Sequence, residues 1–349
     1  MSVTLNDIAK KVGVSPSTVQ RALSGVDGVS KKKREEIRLL AQQMGYKRNL
    51  VASSLKIGAK KIALILPEPI HNNRYYARYL WEGAKQGASD CAEFNIDILE
   101  YAYVRTPESH SAKLREVFER HGNELDGILT MGNSDALSAC VFAKMREANI
   151  PVVFVGTDGQ PNDRLCCVRT YDEMAGRMVA DLLINFSTAE KYSRIIITGD
   201  FTIEDQFYNA QGFEKHILEN HFPLEILKTS SSMILDEVKD EIKQVLNSGL
   251  EICAIYSTSA RNTVPMCQAV LESQYPNKIR TIGSDIFPES IELITNNQLN
   301  AIIHKRPSIQ SYQAMQALIN FVVKDEALAL DSILVDASIV MKSNLECFL

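Results

Sequence analysis

An α/β core of two doubly wound parallel-sheet lobes, preceded by a small all-α domain of helix-turn-helix type, is the fold class that this chain predicts. Three observations carry the prediction. Short β-branched runs bounded by Gly, Pro, Asn or Asp recur after Lys61: IALIL (62–66), IDILEY (96–101), GILTM (127–131), PVVFV (151–155), RIIIT (194–198), ICAIY (252–256) and TIGSD (281–285). They read as buried strands. Long helical stretches separate them, among them Tyr75 to Phe94, Ser134 to Asn149, Tyr171 to Ser187, Gln206 to His221 and Leu235 to Asn247, and such alternation means parallel sheets with helices on both faces. The roughly 290 residues of this part exceed what one hydrophobic core usually holds, so two lobes are expected.

The N-terminal domain is predicted element by element from VTLNDIAKKVGVSPSTVQRAL, Val3 to Leu23. Leu5, Ile8, Ala9 and Val12 recur at i, i+3, i+4 and i+7, one face of a helix, and Thr4 with Asp7 three residues on is a capping-box pair for its start. Gly13 stands where a left-handed stop is easiest for glycine. Ser15-Pro16 then offers an N-cap and a proline at the first helical position. Val19, Ala22 and Leu23 form the buried side of the second helix, leaving Pro16, Ser17, Gln20 and Arg21 outward. Two helices joined this tightly are the layout whose second helix enters the major groove of DNA. A third helix is read from Ile37, Leu40, Ala41 and Met44, capped by Ser30 and ended by Gly45.

Helix–turn–helix pairs are common in proteins that never touch nucleic acid, and charge is what tips the reading. Residues 1–61 carry thirteen Lys and Arg against four Asp and Glu, a formal +9 in a chain whose total is −5, which leaves −14 for the remainder. A sign asymmetry of that size points to a phosphate-binding end.

Together with VSKKKREEIRLLAQQMGY and NLVASSLK, the head sequence resembles, in order, the DNA-binding head and hinge of LacI/GalR-type bacterial transcription regulators. Gln20 departs from the family's usual serine in its TVSR motif, and Lys33 from its usual threonine. The resemblance implies a head over 1–48, a hinge helix or linker over 49–60, and a ligand-binding core over 61–349 like the type I periplasmic sugar-binding proteins. It implies DNA contacts from Thr4, Ser15, Pro16, Ser17, Thr18, Gln20 and Arg21 in the head and from Asn49, Ser53, Leu55 and Lys56 in the hinge. By composition alone 49–57 is an ordinary exposed linker. In the family this stretch folds on the operator and wedges a leucine, here Leu55, into the minor groove.

The same resemblance implies three crossovers between lobes, expected near Gly156–Pro161, Pro288–Ser290 and Lys324–Leu328. One lobe then spans about 61–158 and 290–325, the other about 160–288 and 327–349. Ligands of open α/β sheets bind beyond the strand carboxyl ends, where Asp285 ends TIGSD. It is either a helix N-cap or, as the family implies, a carboxylate accepting sugar hydroxyls. Gly156 replaces the aspartate of many relatives, with Asp158 two residues on, and Asn209 stands where many have a sugar-clamping arginine. Tyr75 and Tyr76 either stack on a sugar face or anchor the first core helix, Trp81 reads as core, and Gln310 aligns with a stretch near the cleft.

Enzyme classes find no support in the motifs: there is no G-x-S-x-G, Walker A loop, H-E-x-x-H or strand-borne G-x-G-x-x-G. No cofactor or metal is expected. Seven cysteines form no C-x-x-C, and adjacent Cys166 and Cys167 read as buried thiols of a reducing cytosol. Without a signal peptide or an 18-residue apolar run, the expectation is a cytoplasmic protein with no membrane partner, and the resemblance implies a homodimer on a pseudo-palindromic operator. Its partners would be operator DNA and a small sugar-like effector. The rival expectation is a small-molecule binding protein whose basic head serves some other polyanion.

Overall fold

The structure, a computed structural model, describes residues 3–23, 28–46, 59–186, 193–229, 234–274 and 276–349. The chain divides into two compact units, Met1–Ile57 and Gly58–Leu349. The hinge residues Asn49, Ser53, Leu55 and Lys56 lie outside the described residues.

In the first unit α1 spans Leu5–Val12, α2 Pro16–Leu23 and α3 Lys31–Gln43. The Asp7 amide donates to Thr4 Oγ1 at 3.4 Å and the Thr4 amide donates to Asp7 Oδ2 at 2.9 Å, so the expected capping box forms. Gly13 ends α1 with φ of +72°. Ser15 Oγ accepts the Thr18 amide at 3.1 Å, which caps α2, and Ser30 Oγ accepts the Lys33 amide at the start of α3. Ile8, Ala9, Val19, Ala22, Ile37 and Ala41 from all three helices make the core. Lys33 donates to the Val12 carbonyl at 3.3 Å, so its ammonium sits at the negative end of the α1 dipole.

The second unit holds two six-stranded sheets. In chain order its elements begin with β1 Lys60–Pro67, α4 Ala77–Ser89, β2 Ile96–Tyr103, α5 Pro107–His121, β3 Gly127–Thr130, α6 Ala136–Glu147, β4 Val152–Val155 and β5 Cys166–Thr170. There follow α7 Asp172–Phe186, β6 Ser193–Thr198, α8 Glu204–Glu219, β7 Leu224–Thr229, α9 Leu235–Leu246, β8 Ile252–Ser257, α10 Ala260–Leu271 and β9 Arg280–Ser284. The last are α11 Pro288–Thr295, β10 Ala301–His304, α12 Pro307–Lys324, β11 Ser332–Val335 and β12 Ser338–Val340. The first sheet runs β11-β5-β4-β3-β1-β2, all parallel. The second runs β12-β10-β9-β8-β6-β7, parallel except for β12. In each, the order reverses between the first and third strands of the lobe, the switch point at which doubly wound sheets open a ligand crevice.

Each of the three expected crossovers is corrected by this topology. The chain leaves the first sheet after β5, at Tyr171, because CCVRT is a strand paired with β4 and β11; with few β-branched residues it carried little strand signal. Gly156–Pro161 is therefore a turn inside the first lobe. Pro288 opens α11, and β10 still belongs to the second sheet, so the return runs through Lys305 and Arg306 into α12. The segment 324–328 merely ends α12. SILVDASIVM splits into β11 and β12 in different sheets, and the third crossover is Asp336-Ala337. The lobes are 59–170 with 307–335, and 172–304 with 338–349.

Packing fixes the helices to these sheets. Trp81 is core as expected, its indole N–H donating to the Pro67 carbonyl at 2.7 Å. Helices α7 and α8 cross so closely that a Cβ on Gly212 would lie 2.0 Å from the Glu173 carbonyl oxygen.

Candidate functional site

In the first unit, Pro16, Ser17, Gln20 and Arg21 are exposed along α2, with Val19 and Ala22 fully turned inward. Ser15 Oγ lies 2.7 Å from Ser17 Oγ and 2.8 Å from Thr18 Oγ1, a hydroxyl cluster at the N-terminus of α2, where backbone N–H groups favour an anion. Thr4 is engaged with Asp7 through both its amide and its hydroxyl.

In the second unit, the two switch points face one another. A cavity of about 80 Å³ between the lobes is lined by Asn72, Asn73, Tyr75, Tyr76 and Arg105 of the first, and by Asp200, Ile203, Asp205, Gln206, Ser259, Ala260 and Arg261 of the second, with Lys305 on the crossover. Arg105 and Ile203 also border an adjoining space of about 270 Å³ that reaches His110, Asp135 and Asp158.

Charge is concentrated around this cleft. Lys305 Nζ lies 3.7 Å from Asp205 Oδ2 and 5.8 Å from the Tyr76 ring, and the Arg105 guanidinium lies 5.8 Å from the same ring. Burial opposes the charge of Lys305, but Asp285, Asp205 and Asp172 together hold its pKa above the usual value. Burial, reinforced by Asp205, pushes the Asp172 carboxyl well up, and burial with Asp205 and Asp285 does the same to the Tyr76 phenol. Burial, and then the charge of Arg105, lowers Arg261.

Asp285 is fully buried, in a left-handed conformation with φ of +61°, and meets the cleft through its bond to the lining residue Lys305 rather than by lining the cavity itself. Its Oδ1 accepts the Lys305 amide at 2.8 Å, while Oδ2 has no partner among the described residues. Its side chain caps no helix, for α11 begins three residues later behind Phe287. Asn209 is buried with its Oδ1 accepting the Tyr256 hydroxyl and its Nδ2 unpartnered among the described residues. Asp205 Oδ1 and Gln310 Oε1 are likewise unpartnered. Gln310 donates to both Thr170 Oγ1, at 2.8 Å, and the Lys305 carbonyl, at 2.6 Å, tying two crossovers together. Buried polar atoms left this way carry a desolvation penalty that a hydrogen-bonding ligand relieves.

One expected residue sits differently, and another takes the second of its two readings. Both Asp158 carboxylate oxygens are taken by Arg164, at 2.5 and 2.8 Å, so it is not the free acceptor that the sequence suggested. Tyr75 anchors: its ring lies 4.7 Å from that of Phe287 in the other lobe, and Arg74 beside it pairs with Glu289 at 2.6 Å. Tyr76 alone of the pair faces the cleft charges. Sequence reading missed Arg105, Asp172, Asp205, Arg261 and Lys305. All but Asp205 lie within four residues of a strand's carboxyl end, so the crevice rule applied to every strand would have found them.

Residues 4–49 match the family described as bacterial regulatory proteins, lacI family, and residues 126–326 match the periplasmic binding protein domain. The core belongs to the periplasmic binding protein domain family, and the head is a lacI-family domain. The chain is 25% identical over 225 residues to catabolite control protein A of Staphylococcus epidermidis, a match that spans 63% of each chain. The chain thus covers under two thirds of that relative's length. It is 24% identical to pepR1, a helix-turn-helix transcriptional regulator of Lactobacillus delbrueckii subsp. lactis, over 88% of this chain and 84% of that one. Among solved structures, a glucose-galactose binding protein from Geobacillus stearothermophilus superimposes with a TM-score of 0.70 at 24% identity, covering 82% of this chain and 99% of that one. A myo-inositol-bound solute-binding protein from Bacillus halodurans gives 0.70 at 17%, covering 83% and 97%. These likenesses in the core are likenesses of fold.

Proposed function

We propose that this chain, with its lacI-family head, is a sequence-specific DNA-binding transcription regulator, a cytoplasmic repressor that binds a pseudo-palindromic operator as a homodimer and senses a small polar metabolite in the interlobe cleft. It is not read as an enzyme. The observation that carries the reading is the exposed face of α2, with Pro16, Ser17, Gln20 and Arg21 outward on a capped three-helix head rich in Lys and Arg. Ser17 and Gln20 offer hydrogen bonds to base edges, Pro16 only apolar contact, and Arg21 a charge for phosphate. Among the described residues no helix is long and apolar enough to cross a membrane.

The fold of sugar-binding relatives and the unpartnered Asp285, Asp205 and Asn209 support a polyhydroxylated effector, a sugar or sugar derivative. Such a ligand acts on DNA binding only through unequal affinity for two arrangements of the core. Leu55, in the hinge, is the residue proposed to convert that difference into operator affinity. In gel-shift titrations at fixed salt, Leu55→Ala is expected to weaken binding to a fragment from beside the chain's own gene, leaving binding to random duplex nearly unchanged. Equal loss on both would contradict the hinge role. Salt-sensitive but sequence-blind binding by the unaltered chain would favour a polyanion-binding head instead.

A further inference from the structure

We infer that the cleft takes a polyhydroxylated anion, a sugar phosphate or sugar acid, whose anionic group lies between Arg105 and Arg261 at the start of α10 and whose hydroxyls face Asp205 and Asp285. The inference rests on the reading of the interlobe cleft as the effector site and specifies its chemistry. Arg105 comes from the end of β2 in one lobe and Arg261 from the first turn of α10 in the other, and both line the same cavity. Among the described residues the Arg105 guanidinium makes neither an ion pair nor a hydrogen bond, and its contact is the Tyr76 ring. Two like charges brought together from opposite lobes repel. An anion between them turns the repulsion into two charge-assisted hydrogen bonds.

The surroundings favour that placement. Ser259, the N-cap of α10, gives the helix no side-chain cap, and Ser259, Ala260 and Arg261 all line the cavity, so the positive end of the helix dipole opens onto it. Of the charged residues lining the cavity, Arg105, Arg261 and Lys305 outnumber Asp200 and Asp205. Lys305 is paired with Asp205, and Asp200, whose Oδ1 accepts the Thr202 amide and hydroxyl, offsets part of the Arg261 charge, so the lining keeps a net positive charge. A neutral sugar would leave the Arg105–Arg261 repulsion in place. A bare anion would leave Asp205 Oδ1 and Asp285 Oδ2 unpartnered. A ligand with both kinds of group answers both.

Isothermal titration of the full chain with matched pairs tests this: glucose and glucose 6-phosphate, ribose and ribose 5-phosphate, galactose and galacturonate, with inorganic phosphate alone as a further arm. At least one anion is expected to bind about ten-fold or more tightly than its neutral parent, and the phosphate and carboxylate arms tell which acid is read. Arg105→Gln and Arg261→Gln should each weaken that anion about ten-fold or more while leaving the parent sugar's affinity alone. Arg105 is half-exposed on a loop, so its variant keeps the fold, which an unchanged melting temperature without ligand verifies. A neutral sugar that binds as well as its anion, an anion indifferent to both variants, or no binding by any anion overturns the inference. Neutral-sugar binding that is lost in Asp285→Ala would overturn it while leaving the cleft reading intact.

Discussion

Gly13, Asp135 and Asp172 each set a local free energy that can be measured. Gly13 holds φ of +72° with nothing within 4 Å of where a Cβ would stand, so Gly13→Ala meets backbone strain alone. It is expected to destabilise the head by about 1 kcal/mol in chemical denaturation. Asp135 caps α6, its Oδ1 accepting the Leu137 and Ser138 amides at 2.8 and 3.1 Å. Asp135→Ala should cost about 1 kcal/mol of core stability. Asp172 behaves in the opposite sense. Its carboxyl is held well above the ordinary 3.8, by burial first and then by Asp205. Ionising it therefore opposes folding, and the penalty, absent below the unfolded value, grows as pH rises above it. Asp172→Asn should raise the melting temperature at pH 7 and lose that advantage at about pH 3; an equal gain at both would show that packing, not charge, is responsible. A residue type at a strand end singled out Asp285 in advance, whereas Tyr76, nine residues past β1, was left between stacking and anchoring. The pairing of Arg105 with Arg261 was not legible, because 156 positions separate them and only the sheet order brings them to one cavity.

Between elements, the two lobes are joined by a small apolar cluster of Tyr75, Ala260 and Phe287, with Tyr79, Leu235 and Val264 against it and the Arg74–Glu289 pair at its edge. The ion pair is half-exposed and contributes little, whereas the aromatic contact is buried. Tyr75→Ala is expected to favour an open cleft, seen as a larger radius of gyration of the core in small-angle scattering, while Glu289→Ala is not; an unchanged radius for Tyr75→Ala would show that the cluster does not hold the lobes together. Helices and strands of the core were readable wherever periodicity was long or β-branched residues were dense. The capped head was readable throughout its described residues, since Thr4, Gly13, Ser15 and Ser30 mark its boundaries chemically. The crossovers were not. Proline and glycine drew attention to 156–161 and 288–290, but what places a crossover is which sheet the next strand joins. Cys166–Thr170 and Ser332–Val335 join the first sheet through non-local pairing, and local sequence is silent on that choice.

Across the whole molecule, charge is divided between a basic head and an acidic remainder. That division suits a chain whose basic end engages nucleic-acid phosphates. Two linked heads on a two-fold operator need only modest affinity each, so the proposed regulator should lose specific binding steeply when its dimer is disrupted. The head of the proposed regulator reads sequence rather than charge. Fluorescence anisotropy with the full chain at fixed physiological salt, comparing the fragment beside its own gene with random duplex of equal length, tests it most directly. Specific binding about 10³-fold or more tighter than non-specific is the predicted result, and equal affinity for the two duplexes would contradict it.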